Sequence, residues 1–111
     1  MTPKTAIPLP IDQLTDICRR HGIVRLEVFG SILRDDFGPQ SDVDLIFTLA
    51  PGAPPLESHW LRYDIEDELE AALGRRVDFL RREVVEQISN PLRRKRILDS
   101  AEVLIELAQA A

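Results

Sequence analysis

Residues 23–47 read IVRLEVFGSILRDDFGPQSDVDLIF. An apolar, alternating run ends at a Gly-Ser pair, and a second such run begins with two aspartates separated by one residue. Alternation of this kind predicts a β-strand on each side of the intervening loop. Because strand side chains alternate between the two faces of a sheet, Asp42 and Asp44 should point to the same face.

The residue types in this stretch favour chemistry on a polyphosphate. Gly30 allows the backbone to approach a bulky anion, and Ser31 adds a hydroxyl group. Two hard carboxylate ligands on one face suit a Mg²⁺ ion that holds a triphosphate. Gly30-Ser31 alone would fit an ordinary turn with Ser31 as a helix cap. Its place ahead of an Asp-x-Asp strand makes nucleotidyl transfer the stronger interpretation.

The remaining chain alternates between helical and extended patterns. Residues 1–9 form an irregular lead-in, and the loop at residues 51–55 is rich in proline. The patterns predict an α/β fold in one domain over residues 1–111, with a core at about 11–107. Residues 102–107 fit either an extension of the last helix or a final strand. The other predicted helices are 11–21, 32–35, 56–73, 84–88 and 92–100, and the predicted strands are 23–29, 42–49 and 75–80.

A third carboxylate is a candidate for the same site. Asp78 lies in the sequence Val-Asp-Phe-Leu on a predicted strand, between residues typical of a core. A third carboxylate from a neighbouring strand would complete a set that can bridge two metal ions about 3.5–4 Å apart. The alternative is an aspartate that is simply hydrogen-bonded at a strand end.

Composition limits the class of protein. Apolar residues make up 44% of the chain and charged residues 30%, which indicates a globular domain rather than a disordered one. The net charge of −5 argues against broad nonspecific binding of nucleic acid. The single cysteine, Cys18, is expected to be a small buried hydrophobe. No run approaches the ~20 apolar residues of a membrane span, so no membrane association and a cytoplasmic location are expected.

Several other residues allow two interpretations. The basic run Arg93–Arg96 is either a solvated helix face or a contact for an RNA end or an acidic partner. His21 and His59 lack the spacing of metal ligands and are not expected to be catalytic. Trp60 and Tyr63 are candidates for rim packing or for interface anchors. The arginines that flank the third strand could reach a phosphate or lie exposed at the strand ends: Arg75, Arg76, Arg81 and Arg82.

The motif resembles a known family. Gly30-Ser31-x-x-Arg34-x-Asp36, followed by Ser41-Asp42-Val43-Asp44-Leu45, is similar to the signature of the DNA polymerase β-like nucleotidyltransferases. The tail at residues 90–106 also resembles the closing helix and strand of that family. The short chain is similar to the minimal nucleotidyltransferases, which are commonly antitoxin partners of HEPN-domain toxins. The resemblance covers residues 23–106 and implies a small mixed sheet flanked by helices.

The resemblance also implies roles for particular residues. Asp42, Asp44 and Asp78 would be the catalytic carboxylates that bind two Mg²⁺ ions, and Asp78 could also act as a base. Gly30 and Ser31 would bind the nucleotide phosphates. Arg34 would contact phosphate or brace the loop by pairing with Asp36, and both alternatives stay open. Asp35 departs from the family pattern, in which a small or neutral residue is common, and adds a negative charge beside the phosphate site.

The expected activity is transfer of AMP from ATP to a hydroxyl group, most often tyrosine, of a cognate HEPN toxin, with release of pyrophosphate. A homo- or hetero-oligomer is expected. One alternative is a non-catalytic antitoxin that neutralises its partner by forming a complex. Another is a transferase that acts on RNA ends or on a small molecule.

Overall fold

The computed structural model describes residues 4–51 and 59–107, and their side chains except at residues 59–62. Four strands form one mixed sheet: β1 (Ile23–Phe29), β2 (Val43–Leu49), β3 (Val77–Arg81) and β4 (Glu102–Glu106). The strand order is β3-β2-β1-β4, with β1 antiparallel to both β2 and β4, and β2 parallel to β3. The prediction of an α/β fold with a small mixed sheet flanked by helices is confirmed.

In the described residues, one α-helix precedes the first strand, and three further α-helices and one short 3₁₀ helix lie between successive strands. They are α1 (Ile11–Arg20), the 3₁₀ helix (Gly30–Leu33), α2 (His59–Leu73), α3 (Arg82–Glu86) and α4 (Pro91–Ser100). The start of α4 is fixed by Asn90, whose side chain accepts hydrogen bonds from the backbone N–H groups of Leu92 and Arg93 at 3.0 and 3.2 Å. Pro91 fits the first helical turn because its missing N–H has no helical partner there.

The sheet has a large core on one face. α1 and α2 cover this face, and the stacked rings of Phe47 and Phe79 lie in it with centroids 4.0 Å apart. The alternation of β2 places its odd-numbered apolar residues here, as the sequence predicted. The buried residues that fill this core include Leu14, Ile17, Leu26, Val28, Val43, Leu45, Ile65 and Leu69.

A smaller cluster covers the opposite face. Phe29 and Ile46 pack there against Val85 of α3 and Ile97 of α4. Ile46 is fully buried although it shares its face with Asp42 and Asp44. The aspartate face is therefore apolar at its middle and polar at its edge.

Most predicted elements are present, with boundaries shifted by one or two residues. Of the residues predicted as either helix or strand, 102–106 form strand β4 because they pair with β1. The short helix predicted at 32–35 is a 3₁₀ helix at Gly30–Leu33. The first residues of the helix predicted at 56–73, and the side chain of Trp60, lie outside the described residues. Within the described part of the chain, no helix is long and apolar enough to cross a membrane.

Candidate active site

Gly30 and Asp44 are in direct contact at the edge of the sheet where β1 ends and β2 begins. β1 ends at Phe29, which pairs with Asp44 of β2, so the next residue faces the Asp44 carboxylate. Gly30 adopts a φ of +78°, and a Cβ atom at this position would overlap Asp44 Oδ2. Glycine is required here by backbone conformation and by space alike.

The sheet register brings the other two carboxylates to the same edge. Asp44 and Asp78 are direct partners in the parallel pairing of β2 and β3. Asp42 lies just before β2, since that strand begins at Val43 rather than at Asp42. Asp42 and Asp78 are exposed, whereas Asp44 is half-buried between them and Gly30.

The closeness of these carboxylates changes the acidity of Asp44. Burial and, to a smaller extent, the negative charges of Asp78 and Asp42 together raise the pKa of Asp44 to about 6, while Arg34 acts in the opposite direction. A negative charge at Asp44 is therefore costly near neutral pH. A cation at this edge would relieve the repulsion.

The donor set fits Mg²⁺ by its chemistry, because all three residues offer hard carboxylate oxygens. Over residues 4–51 and 59–107, however, no three His, Cys, Asp or Glu side chains stand close enough together to hold a metal ion. The three aspartates thus share an edge and a face without converging on one point. Exposed side chains change rotamer rapidly, so Asp42 and Asp78 can turn towards Asp44 without a change in the backbone.

The turn after β1 differs from the expected phosphate-binding helix. Ser31 is half-buried in a 3₁₀ helix of four residues, and its carbonyl oxygen accepts a hydrogen bond from the Arg34 N–H at 2.9 Å. Such a short segment contributes little macrodipole. The polar groups available to an anion are therefore individual hydroxyl and N–H groups.

Arg34 pairs with Asp36 in this structure. Arg34 Nε donates to Asp36 Oδ1 at 3.0 Å, and both side chains are exposed. This hydrogen bond raises the pKa of Arg34 and lowers the pKa of Asp36. Arg34 also influences Asp44 electrostatically, so the pairing with Asp36 leaves it close to the carboxylate edge.

Arg75 fastens the loop that precedes Asp42. Its Nη1 donates to the carbonyl oxygens of Gly38 and Ser41 at 2.9 and 3.3 Å, and its guanidinium lies 4.5 Å from the centroid of the Phe37 ring. Since Arg75 immediately precedes the β3 region, it ties the lead-in to Asp42 to the strand that bears Asp78. Arg75 is half-buried, so it is not the exposed strand-end residue that was one of the two predictions for it. No spacing rule identifies a side chain that binds backbone oxygens of a distant loop.

A second arginine joins helix α3 to strand β1 on the aspartate face. Arg82 Nη1 donates to Glu27 Oε1 at 2.7 Å, and Glu27 of β1 is only 3% exposed. β2 separates β1 from β3 in the sheet, so this ion pair spans Ile46. Arg81 ends β3 and Arg82 begins α3, so both lie at the opposite end of β3 from Asp78.

Two further candidates lie away from the carboxylates. His21 closes α1, and its Nε2 lies 2.6 Å from Glu68 Oε2 of α2, so it joins two helices on the far face. Cys18 is buried, and burial raises the pKa of its thiol to about 11. Both positions agree with structural rather than catalytic roles. The side chain of His59 lies outside the described ones.

Comparison with known proteins shows the family to which the chain is related. A family model described as a nucleotidyltransferase domain matches residues 11–104. A protein of Methanocaldococcus jannaschii, named as a candidate protein adenylyltransferase, is 33% identical over 89 residues, which cover 80% of this chain and 87% of that protein.

Solved structures show the same fold. A protein described as a candidate minimal nucleotidyltransferase is 30% identical to this chain. It superposes with a TM-score of 0.60 over 83% of this chain and 86% of that one. A chain of a toxin–antitoxin crystal structure with AMP-PNP gives a TM-score of 0.64 at 18% identity, covering 91% and 77% of the two chains. A chain of the Shewanella oneidensis complex of a tri-AMPylated HEPN toxin with an MNT antitoxin gives 0.56 at 15% identity, covering 86% and 69%.

The family model spans most of the chain, including every strand except the last two residues of β4. Gly30, Asp42, Asp44 and Asp78 all lie within the matched region. The chain belongs to the nucleotidyltransferase domain family, and it is a nucleotidyltransferase.

Proposed function

We propose that the chain transfers AMP from ATP to a hydroxyl group of a HEPN-domain toxin and thereby acts as its antitoxin. The observation that carries this proposal is the contact of the half-buried Asp44 with Gly30, beside Asp42 and Asp78. The candidate protein adenylyltransferase from M. jannaschii and the AMPylated toxin in the S. oneidensis complex support protein as the acceptor.

The binding roles follow from the edge of the sheet. The backbone at Gly30 and the hydroxyl of Ser31 would hold the phosphates of ATP. Arg34 would contribute positive charge to them, because it already influences Asp44 from its place beside Asp36. Asp35 stays exposed on the same turn, and its negative charge weakens this attraction.

Asp42, Asp44 and Asp78 would hold two Mg²⁺ ions. The ions would supply neutralisation of the charge that develops on the phosphate oxygens. The contribution of the chain is to place three carboxylates on one face and to keep Asp44 in the least hydrated position. Charge repulsion among the three aspartates favours occupation by cations.

The proposed transfer forms one bond and breaks one bond at the α-phosphorus of ATP. The acceptor hydroxyl oxygen bonds to the α-phosphorus of ATP, and the bond from that phosphorus to the oxygen bridging to the β-phosphate breaks. Pyrophosphate leaves with the electron pair of that bond. Asp78, exposed beside Asp44, would accept the hydroxyl proton. Positioning and electrostatics supply most of the catalysis in such transfers.

Tyrosine is the proposed acceptor, and ATP is the proposed nucleotide. Because the acceptor belongs to another protein, the reaction requires at least a transient hetero-oligomer. ATP and a reduced thiol at Cys18 both suit the cytoplasm, where we place the reaction.

Intact mass spectrometry tests the proposal. The cognate HEPN protein that this proposal requires is incubated with the purified chain, ATP and Mg²⁺. We expect the HEPN protein to gain the mass of one or more AMP units on tyrosine. Asp44→Asn should abolish the gain, whereas Asp12→Asn, at an exposed position on α1, should leave it unchanged. An unmodified HEPN protein with the unaltered chain would refute the proposal.

The same pair of variants separates catalysis from neutralisation by binding alone. If Asp44→Asn still relieves toxicity in cells as well as the unaltered chain does, the complex and not the transfer neutralises the partner. Modification of an RNA 3′ end in place of the protein would identify the other alternative acceptor.

A further inference from the structure

The charge of α4 is opposite to that of the whole chain. The chain has a net charge of −5, yet α4 contains four consecutive cationic residues, Arg93–Arg96, and a single acidic one, Asp99. Ile97 is the buried residue of the helix, and Arg94 is half-buried and donates to the carbonyl oxygen of Ile88 at 2.9 Å. The other three cations of the run are exposed.

These three cations have no partners within the described part of the chain. The side chains of Arg93, Lys95 and Arg96 make no hydrogen bond or ion pair there, although Asp99 follows within one turn. Several arginines elsewhere are paired, as Arg82 is with Glu27 and Arg20 is with Glu68. Three unpaired cations within four residues leave a local positive field on an acidic protein.

An exposed apolar side chain lies beside these cations. Leu92 is 69% exposed, and it lies one turn before Arg96 on the same side of the helix. Val84 of α3 is also exposed, at 56%, on the helix that packs against α4 through Val85 and Ile97. We call the exposed residues Leu92, Arg93, Lys95 and Arg96 the α4 surface.

The mixture of charge and apolar area distinguishes two kinds of partner. A surface that only binds nucleic acid is served by cations alone. Exposed leucine next to arginine is more typical of protein interfaces, in which arginine is enriched and apolar side chains provide the buried centre. The net charge of −5 also repels a long polyanion more than it repels a compact protein with a local acidic patch.

The α4 surface lies on the side of the sheet where Asp44 points. Ile97, next to Arg96, packs on Phe29 and Ile46. Phe29 is the strand partner of Asp44, and Ile46 lies two residues after Asp44 on the same face. A protein bound to α4 would therefore stand on the face of the carboxylates, from which an acceptor hydroxyl can reach them.

We propose that the α4 surface is the docking site for the acceptor protein, which would meet it with an acidic patch around an apolar centre. This inference rests on the proposed function and adds to it the surface and the chemistry by which the acceptor is recognised. Charge complementarity would speed association and orient the partner. Leu92 would supply the desolvated contact.

Binding is measured by calorimetry between this chain and the HEPN protein of the proposed function. ATP is left out so that no transfer occurs. Arg96→Glu should raise the Kd about tenfold or more, and Leu92→Ser should also weaken binding. Arg19→Glu is the matched control. Arg19 is also an exposed helical arginine without a partner in the described residues, and its reversal should change the Kd less than about twofold. Circular dichroism confirms that each variant is folded.

The outcomes separate this inference from the proposed function. Binding that survives Arg96→Glu and Leu92→Ser overturns the docking surface, while the mass test of AMP transfer still stands. If the unaltered chain does not bind the HEPN protein and does not modify it, both proposals fail. A third outcome would also overturn the inference. The chain would bind a fluorescent single-stranded RNA tightly, and Arg96→Glu would abolish this binding but leave binding of the HEPN protein unchanged. The α4 surface would then be a nucleic-acid surface.

Discussion

Gly30 is the residue at which backbone conformation and candidate chemistry depend on each other. Its positive φ and its contact with Asp44 both exclude a side chain. Gly30→Ala should cost about 1–2 kcal/mol of folding free energy through backbone strain. It should lower AMP transfer about 100-fold, because the Asp44 carboxylate must move away from its place. Steady-state rates and a thermal melt measure the two effects.

Gly38 provides the control for that substitution. It has no positive φ, and a Cβ atom there would meet no heavy atom within 4 Å. Gly38→Ala should therefore leave the rate nearly unchanged. An equal loss of activity in both variants would mean that loop flexibility, and not the contact with Asp44, explains the requirement for glycine.

Arg75 is expected to position the carboxylates rather than to bind substrate. Arg75→Ala removes two hydrogen bonds to the loop before Asp42 and the contact with Phe37. We expect kcat to fall about tenfold, with a smaller change in the KM for ATP. Arg75→Lys should recover part of the rate, since an amine can still donate to the carbonyl oxygens.

The neighbouring Arg76 is exposed and serves as the comparison. Arg76→Ala should keep kcat within about twofold of the unaltered chain. A rise in KM without a fall in kcat for Arg75→Ala would instead indicate direct contact with the nucleotide.

The residues of the motif could be predicted from sequence because their chemistry restricts residue type. A close backbone approach demands glycine, and hard cations demand carboxylates at alternating positions. Arg75 could not be predicted in this way, since its partners are backbone oxygens that any sequence carries. The ion pair of Glu27 with Arg82 could not be predicted either, because it joins β1 to the first residue of α3, which is 55 positions away in the sequence.

Helix α4 shows what local signals can predict at the scale of an element. Asn90 followed by Pro91 predicted its start, and the structure shows the cap. The last strand, β4, could not be distinguished from a longer helix, because its partner β1 is far away in the sequence. Local propensity decides an element only where tertiary pairing does not override it.

The cap of α4 can be tested directly. Asn90→Ala removes the acceptor of the Leu92 and Arg93 N–H groups and should destabilise the protein by about 1 kcal/mol. Asn90→Asp retains an acceptor and should cost less. Ser89→Ala, at the exposed preceding residue, is the control and should be near neutral. Urea unfolding measures these differences, and a neutral Asn90→Ala would show that tertiary packing alone holds the helix.

At the scale of the whole molecule, the two sheet faces divide stability from function. One face is covered by α1 and α2 over a large apolar core, while the aspartate face has a small cluster and a polar edge. The alternation in β2 predicted this division. The strand order and the crossing ion pair of Glu27 with Arg82 were not predictable, because they depend on contacts between distant parts of the chain.

The raised pKa of Asp44 makes the stability of the whole molecule depend on pH. Its pKa is raised from 3.8 to about 6, mainly by burial and then by its acidic neighbours. The folded protein therefore holds this proton more tightly than the unfolded chain does. The contribution to stability is fully present below pH 4 and is lost as the pH rises through about 6. Above that pH, the ionised Asp44 destabilises the fold in the absence of a cation.

Asp44→Asn should therefore abolish AMP transfer and yet stabilise the protein without divalent cations. Since Asp44 is only half-buried, solvent screening reduces the expected gain to about 1–2 kcal/mol at pH 8. Thermal melts of both proteins should coincide near pH 4 and diverge between pH 4 and 6.

Saturating Mg²⁺ should narrow the difference in stability between the two proteins, because a cation stabilises only the ionised site. Asp12→Asn should show no such divergence. The opposite result would be an Asp44→Asn variant that is less stable than the unaltered chain at pH 8 without Mg²⁺. It would mean that the Asp44 carboxylate stabilises the fold, and a cation at this edge would then relieve no repulsion.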